Sequence, residues 1–291
     1  MKRIIDPNSQ SGELFENLPR RAPLRKYVRP SVPVWTEHKA SFIQRYLKLF
    51  IQITKHGTYI DGFAGPQRSD LEHAWSARLV LQIRPPLLRH FFLCEENKKS
   101  FHALHRCVQE IPAPKGRTVE LYEGDFNKRV DDILQSKYIT EKEATFCLLD
   151  QRMFECHWKT VEKLANKKKG GMKIELFYFF GFGWVKRALA GVTKHPEIVE
   201  RWWGRNDFRD LKERTRDEIG KALVERFETE LRYKHVMRYP IYKREKNNIV
   251  MYQMLHASDH DEAPELMNRA YRQAVRSSQK LAEQLSLLNE P

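Results

Sequence analysis

Cysteine is scarce. The 291-residue chain holds four, Cys94, Cys107, Cys147 and Cys156, and no two are spaced as Cys-x-x-Cys. That removes the thioredoxin-like redox pair and the close-spaced half of a zinc site, and it reads as buried, reduced thiols. No run of about 18 apolar residues occurs, so no membrane-spanning helix is expected. The opening ten residues, MKRIIDPNSQ, contain no apolar stretch of signal-peptide length, and the chain is read as cytoplasmic. A Gly-x-x-x-x-Gly-Lys-Ser/Thr run is missing, which excludes a P-loop. No internal repeat or low-complexity segment is found.

What is present is a basic, core-forming chain. Hydrophobic residues make up 41% and aromatics 11%, enough for one large domain, or one domain and a cap. Lys and Arg number 52 against 38 Asp and Glu, a net charge of +14, and a chain this basic attracts polyanions, so contact with nucleic acid is expected. Residues 1–33 are polar and basic with five prolines, the composition of an irregular arm.

From residue 34 the pattern alternates. Apolar residues at helical spacing over about 36–54 precede a β-favouring run at 58–61. A short helix over 76–83, a strand at 90–94 and a helix over 97–111 follow, then a strand at 118–122 and a helix from 126. A strand at 145–149, a helix from 158 and a strand at 174–180 complete the series. Short apolar strands alternating with helices predict an α/β, doubly wound, Rossmann-like sheet, mostly parallel, with helices on both faces. Residues 191–231 read as a helical insertion at the carboxyl edge of the sheet. Runs at about 234–243 and 249–257, joined by residues 245–248, read as an antiparallel hairpin before a helix over 262–285. The organisation expected is therefore an arm (1–33), a cofactor-binding core (34–190), the insertion (191–231) and a hairpin and helix that complete the core (232–291).

Four strands in succession end in acids: Asp61, Glu95-Glu96, Asp125 and Asp150. Each is expected at the carboxyl edge, where doubly wound sheets bind ligands. After the first of them the chain turns through Gly62, Phe63, Ala64 and Gly65, and glycines there allow backbone N–H groups to approach a ligand. Asp61 would repel a phosphate, so the turn fits an adenosyl amino acid, S-adenosylmethionine (SAM), better than a dinucleotide. Glu95 is the candidate acceptor of the ribose hydroxyls and Asp125 of the adenine amino group, with Asp150 near the reactive methyl. The plainer reading is that such acids cap the helices that follow them.

Residues 150–157, Asp-Gln-Arg-Met-Phe-Glu-Cys-His, crowd reactive groups after the fourth of these strands. Asp150 can accept a proton, Arg152 can hold a phosphate, and Glu155 and His157 can serve as acid or base. Cys156 is a nucleophile only if its pKa is lowered. A structured loop with Trp158 packed beneath is the alternative. Two aromatic patches could stack a base, Phe180-Gly181-Phe182-Gly183-Trp184 and Arg201-Trp202-Trp203-Gly204-Arg205; the plainer readings are a core-packing turn for the first and, preferred for the second, tryptophans buried on a helix.

Trp35-Thr36-Glu37-His38-Lys39, Tyr59-Ile60-Asp61-Gly62-Phe63-Ala64-Gly65-Pro66 and Leu149-Asp150-Gln151-Arg152-Met153-Phe154-Glu155-Cys156-His157-Trp158 resemble segments of the three-Cys-motif partner proteins, as do Gly191 and Tyr252–Ser258. The resemblance covers roughly residues 34–270. It implies a bacterial protein of the class I SAM-methyltransferase-like fold, working beside a radical-SAM-like protein that carries the cysteine motif. The wider methyltransferase resemblance implies that Asp61, Gly65, Glu95, Asp125 and Asp150 face the cofactor. Gln67 stands where the usual methyltransferase loop has a third glycine. Gln151-Arg152-Met153-Phe154 replaces the Pro-Pro-aromatic run of DNA amino-methyltransferases. Two rival readings remain: a non-catalytic binding module for protein or nucleic acid, and a nuclease-like enzyme whose strand-end carboxylates converge on a metal.

Overall fold

The computed structural model describes residues 34–35, 39–66, 74–181, 185, 189, 195–242 and 250–274. The arm at 1–33, most of the Trp35–Lys39 motif, Gln67, residues 182–184, Gly191, the hairpin tip at 245–248 and the chain beyond 274 lie outside the described residues.

One eight-stranded sheet organises the chain. Its strands are β1 (Val34–Trp35), β2 (Gly57–Asp61), β3 (Leu88–Glu95), β4 (Thr118–Glu123), β5 (Thr145–Leu149), β6 (Glu175–Phe180), β7 (His235–Tyr242) and β8 (Val250–Ser258). They lie in the order β1-β7-β8-β6-β5-β2-β3-β4. Strands β2 to β6 pair in parallel, and β8 runs against both β6 and β7. This is the expected doubly wound, mostly parallel α/β arrangement, with the expected antiparallel pair of strands at the end. The winding reverses between β2 and β5, which opens a crevice at their carboxyl ends.

Strands β2, β5 and β6 are buried along their whole length, as a sheet covered on both faces requires. Successive residues point to opposite faces. Tyr59, Phe91, Phe146, Phe177 and Met254 meet α1 (Lys39–Thr54), α2 (Ser76–Leu81), α3 (Lys98–Glu110) and the helix α8 over 263–274. Ile60, Phe92, Cys147, Tyr178 and Leu255 meet α4 (Phe126–Leu134), α5 (Trp158–Ala165), α6 (Pro196–Trp203) and α7 (Arg216–Thr229). Each such side chain contributes about 1.5–3 kcal/mol of burial, so the two faces, not helix propensity, hold the layers.

Two differences from the sequence reading have physical causes. Strand β1 was not anticipated, because two residues carry no periodicity, yet Val34 and Trp35 pair in parallel with Ile241 and Tyr242 at the sheet edge. The segment read as one insertion divides. Trp202 of α6 packs on Phe154 at the carboxyl edge, whereas α7 lies on the sheet face with Phe227 against Tyr178. In the cation–aromatic run 201–205 the plainer reading holds: Trp202 and Trp203 are buried while Arg201 and Arg205 are exposed, and the cation in the core is Arg226 of α7, 3.7 Å from the Trp158 ring and 4.6 Å from that of Trp203.

Candidate functional site

Asp61 closes β2 in full burial. Its Oδ2 accepts from the Tyr59 hydroxyl at 2.9 Å and its Oδ1 from the Phe63 N–H at 3.1 Å. Burial pushes its pKa up to about 7; the two hydrogen bonds oppose the rise, and the nearby carboxylates Asp150 and Glu95 add to it.

The turn that follows does not present its donors as expected. Gly62 N–H donates to Leu148 O, Phe63 N–H to Asp61, Ala64 N–H to Cys94 O and Gly65 N–H to Glu95 Oε2. Four successive N–H groups are thus bonded within the protein. The glycines serve close packing instead: a Cβ on Gly62 would stand 2.8 Å from the Phe126 ring, and one on Gly65 would overlap the Glu95 carboxylate. A ligand at this turn would meet its Cα and carbonyl surface.

Glu95 ends β3 with Oε2 on Gly65 N–H at 2.9 Å and Oε1 on Asn97 N–H at 2.8 Å. An ionised carboxylate has about four lone-pair sites, so each oxygen keeps one for a further donor, as a ribose diol would require. Glu96 lies exposed at the mouth, and Asn97, not either acid, caps α3. At the end of β4 the chain turns through Gly124 at φ +123°, a conformation that favours glycine, and Asp125 caps α4. The capping reading is correct for Asp125 alone among the four acids. Helix α5 begins after His157, well beyond Asp150.

Asp150 follows β5 and meets Lys39 Nζ at 2.7 Å, both side chains being less than a tenth exposed. Lys39, at the first turn of α1, also lies 4.9 Å from the Phe179 ring and 5.5 Å from that of Tyr252. The loop after Asp150 is built, as its plainer reading held. Gln151 is buried and bridges Phe179 O and Cys156 N–H, and Glu155 Oε2 accepts the Arg152 N–H. Burial of its carboxyl end raises the Glu155 pKa, although the residue as a whole is exposed. Arg152 is exposed, Trp158 lies beneath, and burial lowers the His157 pKa. Cys156 fails as a nucleophile: it is fully buried, and that burial pushes its thiol pKa far up.

Two residues that the sequence reading gave no role join these parts. Lys39 neutralises Asp150 from 111 positions away, a pairing with no local signal. Asn127 ties two loops together. Its side chain donates to Asp125 Oδ1 at 2.8 Å and Glu155 O at 2.7 Å, and accepts from His157 N–H at 2.9 Å and Thr160 Oγ1 at 2.7 Å.

The strand ends enclose a cleft of about 890 Å³, within the size range of small-molecule sites. Gly62, Phe63, Gly65, Glu95, Asp125, Asp150, Arg152 and Glu155 all line it. Asp61 is the exception, set behind the turn beside a smaller recess that Asp150 also reaches. Five acids face the cleft, counting Glu96, against the cations Lys98, Lys99 and Arg152. Such a lining favours a cationic ligand rich in hydrogen-bond donors and disfavours a polyphosphate. SAM has that chemistry, in its sulfonium, ammonium and ribose hydroxyls. Among the described residues no three His, Cys, Asp or Glu stand together as a metal-ligand set, and no helix is long and apolar enough to cross a membrane.

No protein-family model matches the chain, and no curated protein matches it. Among solved structures it is similar to the methyltransferase domain of bacterial CtHen1, at 12% identity over 74% of this chain and 98% of that one, with a TM-score of 0.40. It is similar to a DUF574 family protein from Streptomyces avermitilis, at 12% identity over 76% and 82%, with a TM-score of 0.41. It is also similar to the precorrin 8w decarboxylase from Methanobacterium thermoautotrophicum, at 10% identity over 81% and 99%, with a TM-score of 0.36. These are likenesses of fold and say nothing of a reaction.

Proposed function

We propose that the cleft binds SAM and that the chain is a methyltransferase-like protein acting on nucleic acid beside a radical-SAM-like, three-Cys-motif partner. One observation carries the cofactor reading: acids from three successive strand ends, those of β3, β4 and β5, reach a single cleft at the point where the winding reverses. Glu95 holds the ribose hydroxyls with its remaining lone pairs, and Asp125 takes the adenine amino group while capping α4. When bound, SAM supplies an electrophilic methyl group. Asp150, fixed by Lys39, and Glu155 border the space for the acceptor. The exposed cations Lys98, Lys99 and Arg152 at the rim, with the net charge of +14, support a polyanionic substrate. The partner rests on the motif resemblance alone.

Calorimetric titration with SAM and its demethylated product tests the cofactor. Micromolar binding, weakened at least tenfold by Glu95→Gln and by Asp125→Asn in folded protein, is expected. Absence of binding by the folded wild type refutes it. A second reading, a binding module without catalysis, draws support from the internally bonded glycine turn. It predicts nucleic-acid or partner binding that SAM leaves unchanged.

A further inference from the structure

A second cavity, of about 170 Å³, opens at the opposite edge of the sheet. It lies where β5 and β6 begin and β8 ends, about 17 Å from the acidic cleft at the rise of a β-strand. Its floor is the Glu175 carboxylate, which the proposed reaction does not use. Glu175 is buried and accepts from Ser258 Oγ at 2.8 Å, and from the Tyr46 hydroxyl. His256 Nε2 lies 3.0 Å from Glu175 Oε1. Tyr46 stays protonated, since burial and Glu175 hold its pKa well above the ordinary value.

The direction of these hydrogen bonds decides what the cavity can hold. Four hydroxyls line it, and each has its hydrogen engaged elsewhere. Tyr46 and Ser258 donate to Glu175, Thr145 to Glu143 O, and Thr54 to the carbonyls of Phe50 and His56. These hydroxyls can therefore show a guest only oxygen lone pairs. Glu141 and Glu143 add carboxylates, the first accepting the Lys169 and Gly170 N–H groups and the second meeting His56 Nδ1 at 2.9 Å. Of the lysines there, Lys173 is paired with Asp259, Lys168 donates to Glu143 O, and Lys142 is exposed. The remaining wall is apolar, Phe50, Ile53, Ala144, Met172 and Leu266, apart from His260, whose Nδ1 accepts the Glu262 N–H. A cavity of about 150 Å³ accepts one benzene ring, so the volume suits a single six-membered ring.

We infer that this cavity is a binding site for a small planar cation, a six-membered ring carrying an amidine or ammonium group, with the charged end on Glu175. A cation there would use the lone pair left on Glu175 Oε2, since Oε1 is taken by the Tyr46 hydroxyl and His256 Nε2, and its ring would lie among Phe50, Ala144 and Leu266. The site is separate from the acidic cleft, and its occupancy does not depend on SAM.

Benzamidine is the probe, benzoate its anionic counterpart, and the full chain with ¹³C-methyl methionine the reporter. Met172 lines the cavity and is one of seven methionines. The expected result is a saturable shift of the Met172 methyl signal with benzamidine and none with benzoate. Glu175→Gln should weaken binding at least tenfold, and Ala144→Leu, which fills the ring space, should abolish it. Asp125→Asn at the other edge should leave it unchanged. No saturable shift in wild type up to the solubility of benzamidine overturns the proposal. So does equal binding of benzoate, or binding unaltered in both cavity variants. The wild-type comparison of the two probes decides even where a variant fails to fold.

Discussion

Replacing Asp61 by Asn should stabilise the protein above neutral pH and not in mild acid. The carboxyl is buried and its pKa stands at about 7 in the folded chain against 3.8 in the reference state. Between those values the folded chain retains a proton that the unfolded chain has lost, so stability falls as pH rises. The contribution is fully present below about pH 4, declines through the interval and is gone above about pH 7. A rise of about three in pKa corresponds to about 4 kcal/mol, a large part of the 5–15 kcal/mol that holds a domain together. Asn has nearly the same shape, can still accept the Phe63 N–H, and is neutral throughout. Urea denaturation of both proteins from pH 4 to 8.5 should therefore give a stability difference that grows in favour of Asp61→Asn by about 4 kcal/mol. All other titrations are common to the two proteins and cancel. A difference that stays flat across this range would refute the assignment of a proton to Asp61.

Lys39→Met removes the ammonium 2.7 Å from buried Asp150 and should cost up to about 3–5 kcal/mol by denaturant titration, with Asp150→Leu in the same chain recovering much of the loss. Gly65→Ala drives a methyl into the Glu95 carboxylate, so a loss of about 1–3 kcal/mol is expected, and SAM binding, if present, should fall with it. All four thiols are buried, and burial raises Cys94 to about 12 and Cys147 and Cys156 well above the ordinary value. A disulfide reagent at pH 8 should find no reactive thiol in the native protein and four in denaturant.

The architecture was legible because its signal is local. Tyr59, Phe91, Phe146 and Phe177 sit in short apolar runs bounded by turns, and strand β5 falls at 145–149 as read. The acids were legible as strand ends for the same reason. What escaped was the identity of their partners. Lys39 reaches Asp150 across 111 residues and Glu95 reaches Gly65 across 30, and periodicity has nothing to say about such pairs. The donor role of the glycine turn was misjudged for a related reason: glycine signals close approach, but not what approaches, and here it is Phe126 and Glu95. The tryptophans at 202 and 203 read from the sequence as buried on a helix in preference to a nucleic-acid surface, and they are buried.

The amide of Asn127 has a mechanical consequence. Two stretches far apart in the chain, the start of α4 and the loop before α5, are clamped by one side chain with four hydrogen bonds. Neither stretch can shift away from the other without breaking these bonds. Ordering a separate flexible wall on binding would cost about 0.5–1.5 kcal/mol for each side chain immobilised. Here the tie between these two stretches is built into the fold, so that part of the wall need not be ordered by a ligand.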